Sequence, residues 1–529
     1  MTNAIWFQKL FQKLFQKLCV LRASVVNPSP TLDRKRSPTV TRENPVSKRA
    51  DALDALRGIA VLAMVFSGII PFGGVLPSWM YHAQVPPPEH IFNPDVPGLT
   101  WVDWVFPIFL FSMGAAIPLA QSRRQERGWQ WWRIVPSILW RGVSLLAFAV
   151  FLQHLRPNIL DPALGDLRWW LALSGFLILG LAFGRFPKWV PEIAQKGINV
   201  AGWLMGILLL SQLQYPDGSG FSPTRNDIIL VVLANVAVVG ALVWWLTRRS
   251  VAWRLGVMAW VLALLFSYSE PGWVKQVFSM SPLPSLLNFA YWKYLLVVLP
   301  GTIVGDGVLR WMKSSQPVPP AEDIVETLQV KPREEGATEW RGWEYGAIAL
   351  LGITISLILL VGLQARWVWQ TTVVSAILGA VLLRLVRSPV DATERLLATC
   401  GRWGVYWILL GLALEPYEGG IKKDPATLSY LFVTVGMSAL LLAALFVVSD
   451  VFCQTWAFGL FVATGRNPLV GYVGYANLLL PILTLTGWRE TIEDFTMSPR
   501  RGVVRAAVYT LIVALLASGM TRLRWFWKS

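Results

Sequence analysis

Two of the chain's three histidines, His82 and His90, lie in residues 77–100, a stretch without lysine or arginine. It reads Pro-Ser-Trp-Met-Tyr-His82-Ala-Gln-Val-Pro-Pro-Pro-Glu-His90-Ile-Phe-Asn93-Pro-Asp95-Val-Pro-Gly98-Leu-Thr100. The run of prolines stiffens the backbone between the histidines. Trp101-Val-Asp103-Trp-Val-Phe106-Pro107 follows, with a carboxylate at the mouth of an apolar run. An imidazole can take a proton from an amine or hydroxyl near neutral pH, or attack an acyl carbon itself. A nearby carboxylate can fix its tautomer and stabilise its cationic form. An ionisable residue in an apolar helix is costly and marks a functional candidate, although Asp103 also suits a helix N-terminus. For each histidine the competing reading is a wet loop side chain.

The elements that must position these groups are membrane-spanning helices. Of 529 residues, 54% are hydrophobic and only 15% charged, where a soluble domain carries about 25% charged residues. Such a deficit over the whole length means apolar surface facing lipid. The 29 tryptophans often pair near the ends of apolar runs, as in Trp131-Trp132, Trp169-Trp170 and Trp244-Trp245, the position a half-wet indole favours. Cys19, Cys400 and Cys453 form no CxxC pair, so neither a zinc site nor a disulfide framework is expected. Nothing implies a metal, heme or flavin.

Apolar runs long enough to cross about 30 Å of hydrocarbon predict an all-α, polytopic transmembrane helix bundle of about fourteen spans. They fall near 55–76, 101–121, 133–154, 168–185, 197–213, 226–246, 252–269, 290–311, 343–363, 368–386, 400–415, 427–449, 468–486 and 503–523. Residues 456–464 read as a re-entrant or interfacial segment. The net charge of +16 sits mainly in alternate loops, which marks the basic loops as cytoplasmic rather than as a nucleic-acid surface. Both termini are then cytoplasmic, and loop 77–100 lies outside. One loop breaks the pattern: residues 487–502 carry Arg489, Arg500 and Arg501 and should be external. Either the rule is overridden there, or the span count is off by one nearby.

Residues 1–54 form a basic N-terminal segment. Apolar residues at 7, 10, 11, 14, 15 and 18, with Lys9, Lys13 and Lys17 on another face, fit an amphipathic helix on an anionic leaflet, or equally a dispensable extension. Residues 27–50 read as a disordered linker. Residues 55–312 make a first transmembrane half, 313–342 a Pro-rich cytoplasmic linker, and 343–529 a second half. No internal repeat relates the halves, which weakens an inverted-repeat transporter.

Leu53-Asp54-Ala-Leu-Arg57-Gly58-Ile-Ala-Val-Leu-Ala-Met64 and Gly98-Leu-Thr100-Trp-Val-Asp103-Trp-Val-Phe106-Pro107-Ile-Phe109-Leu-Phe111-Ser-Met-Gly114 resemble motifs of the heparan-alpha-glucosaminide N-acetyltransferase-like family. So do Pro300-Gly301-Thr302-Ile-Val-Gly305-Asp306, Lys422-Lys423-Asp-Pro-Ala-Thr427-Leu-Ser429-Tyr430 and Gly465-Arg-Asn467-Pro-Leu-Val-Gly-Tyr472. They occur in family order from about residue 50 to the end. Two departures stand in the fourth motif, where Lys422 replaces the usual Asn and Ala426 the usual Trp.

The resemblance implies an acyltransferase that moves an acetyl group from cytoplasmic acetyl-CoA, a co-substrate and not a bound cofactor, to a carbohydrate acceptor across the membrane. His82 holds the place of the family's catalytic histidine, with Asp103 as its partner. Arg57, Arg124 and Arg141 are on the side that meets the nucleotide, where arginine's planar fork suits phosphate; a snorkelling positive-inside arginine is the alternative for Arg57. Asn467 is expected to touch the donor or to cap a helix. His90, Lys422 and Lys423 are expected on the acceptor side, or as solvated loop residues. Membrane lipids surround the chain, a homodimer follows the relatives, and the cell (inner) membrane is the expected location. The main rival is a transporter or flippase of the same fold, which would want charges at mid-membrane; a scaffold is the second.

Overall fold

The computed structural model describes residues 50–72, 76–268, 270–314 and 339–528. The amphipathic helix expected in residues 1–54 and most of the 313–342 linker fall outside them. Among the described residues, twelve helices are long and apolar enough to cross a membrane. The fold is therefore the expected all-α polytopic bundle.

Every expected span meets a helix, but two fall short of that length: Asp51–Ser67 with 17 residues and Leu167–Ala182 with 16. The first starts before the apolar run because Arg466 pairs with Asp51 and Asp54 at its N-terminus. It stops at Gly68, ahead of Pro71. The expected 400–415 span is the end of a longer helix, Ala392–Leu414. Its first turns carry charges that break the apolar pattern, yet Glu394 is fully buried there, accepting from Trp340 N, Val390 N and the Tyr345 hydroxyl. Residues 456–464 form a 3₁₀ turn, Thr455–Phe458, and a short helix, Gly459–Arg466. That helix leads through a break at Asn467 into Pro468–Leu485.

The centre of the bundle is made by Trp101–Glu126, Phe289–Lys313 and Leu428–Val451, the most deeply buried spans. Glu192–Gln212 and Val251–Tyr268 lie at the periphery, their apolar side chains mostly open. Small residues let the central helices touch backbone to backbone: a side chain at Gly301 would meet the Phe111 carbonyl, and one at Gly305 the Ala115 carbonyl. This is the small-residue packing by which helices associate where lipid is as apolar as leucine. Hence part of the Pro300–Asp306 motif is packing.

Among the described residues, two charged clusters inside the bundle are paired, as the cost of burying them requires. Arg254 donates to Asp306 at 2.8 Å and to Thr302, and Trp244 Nε1 donates to the same carboxylate. Arg156 and Tyr472 both hold Asp227.

The helices alternate in direction, so one end of the bundle carries His82 and the other Asp51, Arg466 and the tail. Loop 487–502 lies at the His82 end, since Gly502 abuts Pro71 and Val503 packs with Tyr81 and Ile70. The span count therefore holds there, and the arginines of that loop sit on the His82 side. A two-stranded antiparallel pair joins Gly184–Arg185 to Phe526–Trp527 at the opposite end.

Candidate active site

Thr100 caps the Trp101–Glu126 helix and Asp103 occupies its third position, so the carboxylate turns back toward its own N-terminus. Asp103 Oδ2 accepts from Thr100 N at 3.0 Å and from Ala83 N at 3.1 Å. Its Oδ1 lies 2.8 Å from His82 Nδ1. The Thr100 hydroxyl donates to Tyr81 O at 2.7 Å. The cap thus fixes the residues on both sides of His82. Asp103 is fully buried, while 39% of the His82 side chain is accessible. An ionised carboxylate only accepts, so Nδ1 is the donor of the pair, and in the neutral ring Nε2 is the nitrogen that carries the lone pair.

The second half of the chain completes the site. Tyr430, buried in the Leu428–Val451 helix, donates its hydroxyl to Asp103 O at 2.8 Å. Lys423 Nζ lies 3.1 Å from His82 Nδ1 and 3.4 Å from Nε2. Gln84, 1% exposed, ties the two loops: Nε2 donates to Asp424 O at 2.9 Å, and Oε1 accepts from Asp424 N at 3.3 Å. Gly98 N donates to Ile421 O, and Ile421 N to Glu415 Oε1, which also pairs with Arg366 at 2.6 Å. Burial lowers the Lys423 ammonium from the usual lysine range, and Asp103 and Asp424 oppose that shift.

The other candidate residues fall in different places. Lys422 reaches to 4.0 Å from Asp95 of the His82 loop, at the rim of the same end. His90, in a left-handed conformation at φ 52°, packs its ring edge-on between Phe72 and Tyr81. Among the described residues neither of its buried ring nitrogens has a hydrogen-bond partner; its ring packs on Tyr81 and Phe72 and not on His82. His154 is wholly structural: Nδ1 is 2.8 Å from Val150 O and Nε2 accepts from Ser222 N.

At the opposite end, Arg57 and Arg124 are the charges that bear on Arg141, and among the described residues no carboxylate pairs with Arg141. Arg124 and Arg141 line a crevice with Met113, Ile117 and Gln121. Arg57 donates to Gly465 O at 3.3 Å and faces Asp54. Between the two ends, Val61, Met64, Phe109 and Leu469 line an apolar gap. Asn467 belongs to neither end's chemistry. It is fully buried, donating to Trp525 O at 2.9 Å and accepting from Trp527 N at 3.0 Å. Its amide holds the C-terminal tail and is not open to a nucleotide in this state.

Residues 49–308, which include His82, Asp103, Arg57 and Arg124, match the family model described as "Domain of unknown function (DUF5009)". A stretch of 152 residues is 31% identical to heparan-alpha-glucosaminide N-acetyltransferase of Homo sapiens, covering 28% of this chain and 20% of that protein. The chain is similar to that acetyltransferase. The Mus musculus protein of the same name is 31% identical over 123 residues, 23% of this chain and 16% of the relative. The matches thus span about a fifth or less of these relatives' length. The likeness that the motifs suggested is an observed similarity to these acetyltransferases, held by part of the chain.

Gln84 and Tyr430 escaped the sequence reading, although both lie inside motifs it singled out. A buried glutamine and a buried tyrosine have no periodic signature. Only contacts between the two halves of the chain give them a role: Gln84 with Asp424, and Tyr430 with Asp103.

Proposed function

We propose that the protein is a transmembrane acyltransferase that passes an acetyl group from acetyl-CoA, at the Arg57 end, to an amino sugar or related carbohydrate at the His82 end. The observation that carries this reading is the His82–Asp103 pair. A buried carboxylate holds Nδ1, and the His82 side chain is 39% accessible, at one end of a bundle whose other end carries three neighbouring arginines.

Acetyl-CoA is too highly charged to cross hydrocarbon, but its acetyl group on an apolar thioester arm is not. In this reading Arg141 and Arg124 take phosphate through planar, bidentate contacts. The apolar lining of Val61, Met64, Phe109 and Leu469 marks the path that the arm would open. His82 Nε2 then takes the proton of the attacking amine or hydroxyl, or attacks the acyl carbon itself. In either route Asp103 stabilises the positive ring that forms. The basic loops at the arginine end support a cytoplasmic orientation for it. The pairing of Asp306 with Arg254 and of Glu415 with Arg366 leaves neither carboxylate as a free intramembrane carrier group, which favours an enzyme over a transporter.

The test uses purified full-length protein with radiolabelled acetyl-CoA and a panel of glucosamine, galactosamine and neutral sugars. Wild type is compared with His82→Ala and His90→Ala. Transfer that is lost only in His82→Ala is the expected result. A wild type that neither binds acetyl-CoA nor transfers label to any acceptor would falsify the enzyme reading.

A further inference from the structure

Lys423 stands at nearly equal distances from the two nitrogens of the His82 ring, 3.1 and 3.4 Å. A group on the in-plane lone-pair axis of Nε2 would be much farther from Nδ1 than from Nε2. Near-equality therefore puts Nζ over the ring face and leaves that axis open. The position is built, because both sides of the Lys423 turn are fixed. Gln84 holds the Asp424 backbone, Lys293 Nζ donates to Pro425 O at 2.8 Å, and Lys422 N donates to the Thr427 hydroxyl. Ala426 turns the chain at φ 65°.

We propose that Lys423 is a catalytic residue of the acyl transfer, donating from above the His82 ring to the acyl carbonyl oxygen as negative charge develops there. The inference rests on the acyltransferase reading and adds a third group to the site. When the acceptor's nitrogen or oxygen attacks, its bond to the carbonyl carbon forms and the carbonyl π pair moves onto oxygen. His82 Nε2 takes the acceptor's proton. As the pair returns from oxygen, the carbon–sulfur bond breaks and the CoA thiolate leaves with its electrons; the proton on His82 then passes to solvent. If His82 attacks first, the same oxygen carries the same charge. A carbonyl carbon brought up to Nε2 has its oxygen beside the ring face, within reach of Nζ. An ammonium aimed at a developing oxyanion in a water-poor site is one of the larger single contributions an enzyme can make.

The groups facing Lys423 are the His82 ring and the carboxylates of Asp103 and Asp424; the Tyr430 and Tyr294 hydroxyls bear on those same carboxylates, and Lys293 on Asp424. The ammonium is lowered from the usual lysine range by burial. Activity that needs the charged form is therefore full below that value and falls as pH rises through it.

The experiment compares wild type, Lys423→Met and Lys423→Arg with labelled acetyl-CoA and glucosamine, measuring kcat, each KM, the pH profile and thermal unfolding. Lys423→Met is expected to lower kcat by about 10²–10³-fold with little change in either KM. Lys423→Arg should recover part of kcat and move the alkaline limb to higher pH, because a guanidinium stays charged. Unchanged kcat in Lys423→Met with a raised acceptor KM overturns the proposal and makes Lys423 an acceptor contact. Should Lys423→Met not fold, an alkaline limb unmoved in Lys423→Arg overturns it equally. A wild type that neither binds acetyl-CoA nor transfers label to any acceptor of the panel overturns the acyltransferase reading itself; an active wild type with an active Lys423→Met overturns only this inference.

Discussion

His82 Nδ1 and Asp103 Oδ1 lie 2.8 Å apart although 21 residues separate them. The pair exists because one side chain serves two purposes. Asp103 closes the capping box of the Trp101–Glu126 helix, and the lone pairs this leaves on its carboxylate face the preceding loop. The helix-dipole reading and the catalytic reading of Asp103 are therefore the same geometry seen from two sides.

Asp103→Asn separates the two purposes. The amide oxygen can still accept from Ala83 N and Thr100 N, so the loop should stay closed. The amide NH₂ then faces His82 Nδ1 and drives the proton to Nε2, the wrong tautomer for a base or nucleophile. Acetyl transfer should fall by about two to four orders of magnitude, with thermal unfolding shifted little. Asp103→Ala, by contrast, should also destabilise, since two buried backbone donors lose their acceptor at about 1–3 kcal/mol each. Transfer rates and melting curves for the two variants check this; equal activity in Asp103→Asn and wild type would remove Asp103 from the mechanism.

His90→Phe is expected to keep most of the activity. The ring sits between Phe72 and Tyr81 with both nitrogens buried and unpartnered, and a phenyl ring fills the same space without polar atoms. His90 already bears the cost of a Cβ in the left-handed region, so a phenyl ring adds little there, and removing two buried polar atoms should leave stability unchanged or raised by about 1–3 kcal/mol. Acetyl transfer and melting temperature measured side by side with His82→Ala decide it. Loss of transfer in both would return His90 to the reacting groups.

How much of this was legible in the sequence follows from which physics was local. Spans were legible because lipid imposes length and apolarity on each helix separately. Their edges were not, where charges such as Glu394 and Asp51 find partners elsewhere in the fold. The His82–Asp103 pair was legible because a loop and the helix it enters are neighbours in sequence. The Lys423 ring contact was not: its residue stood out in a motif, but its distance to His82 depends on two halves of the chain folding together. The two readings of Asn467 show the converse. Its place suggested a donor contact or a helix cap, and its amide instead holds the backbone of Trp525 and Trp527.

Asn467→Ala should release the C-terminal tail. Its amide satisfies Trp525 O and Trp527 N, and Trp527 is only 3% exposed among Phe148 and Phe176. Two buried backbone groups left unpaired should cost about 2–4 kcal/mol in total. The readouts are a lower melting temperature and faster trypsin cleavage at Arg522 and Arg524, followed by mass spectrometry. A raised KM for acetyl-CoA with an intact, protected tail would instead make Asn467 a donor contact.

Gly465→Leu tests the contact that joins the ends of the two motifs. Gly58 and Gly465 face each other where Asp51–Ser67 meets Gly459–Arg466, and a Cβ on either would overlap backbone: the Phe461 carbonyl from Gly58, the Asp54 carbonyl from Gly465. Backbone cannot swing aside as a side chain does, so the helices must separate, which pulls Arg57 from Gly465 O and Arg466 from Asp51. Overpacking of this kind costs about 1–3 kcal/mol and more where backbone must move, and a large drop in folded yield is expected. Gly256→Leu is the control, because among the described residues nothing lies within 4 Å of its added Cβ. That variant should accumulate and melt as wild type does. Size-exclusion profiles of detergent-extracted protein, read against the control, separate a specific helix contact from a general intolerance of leucine. If Gly465→Leu elutes and melts like Gly256→Leu, the close approach of the two helices is not needed, and the glycine would have to be explained by something other than packing.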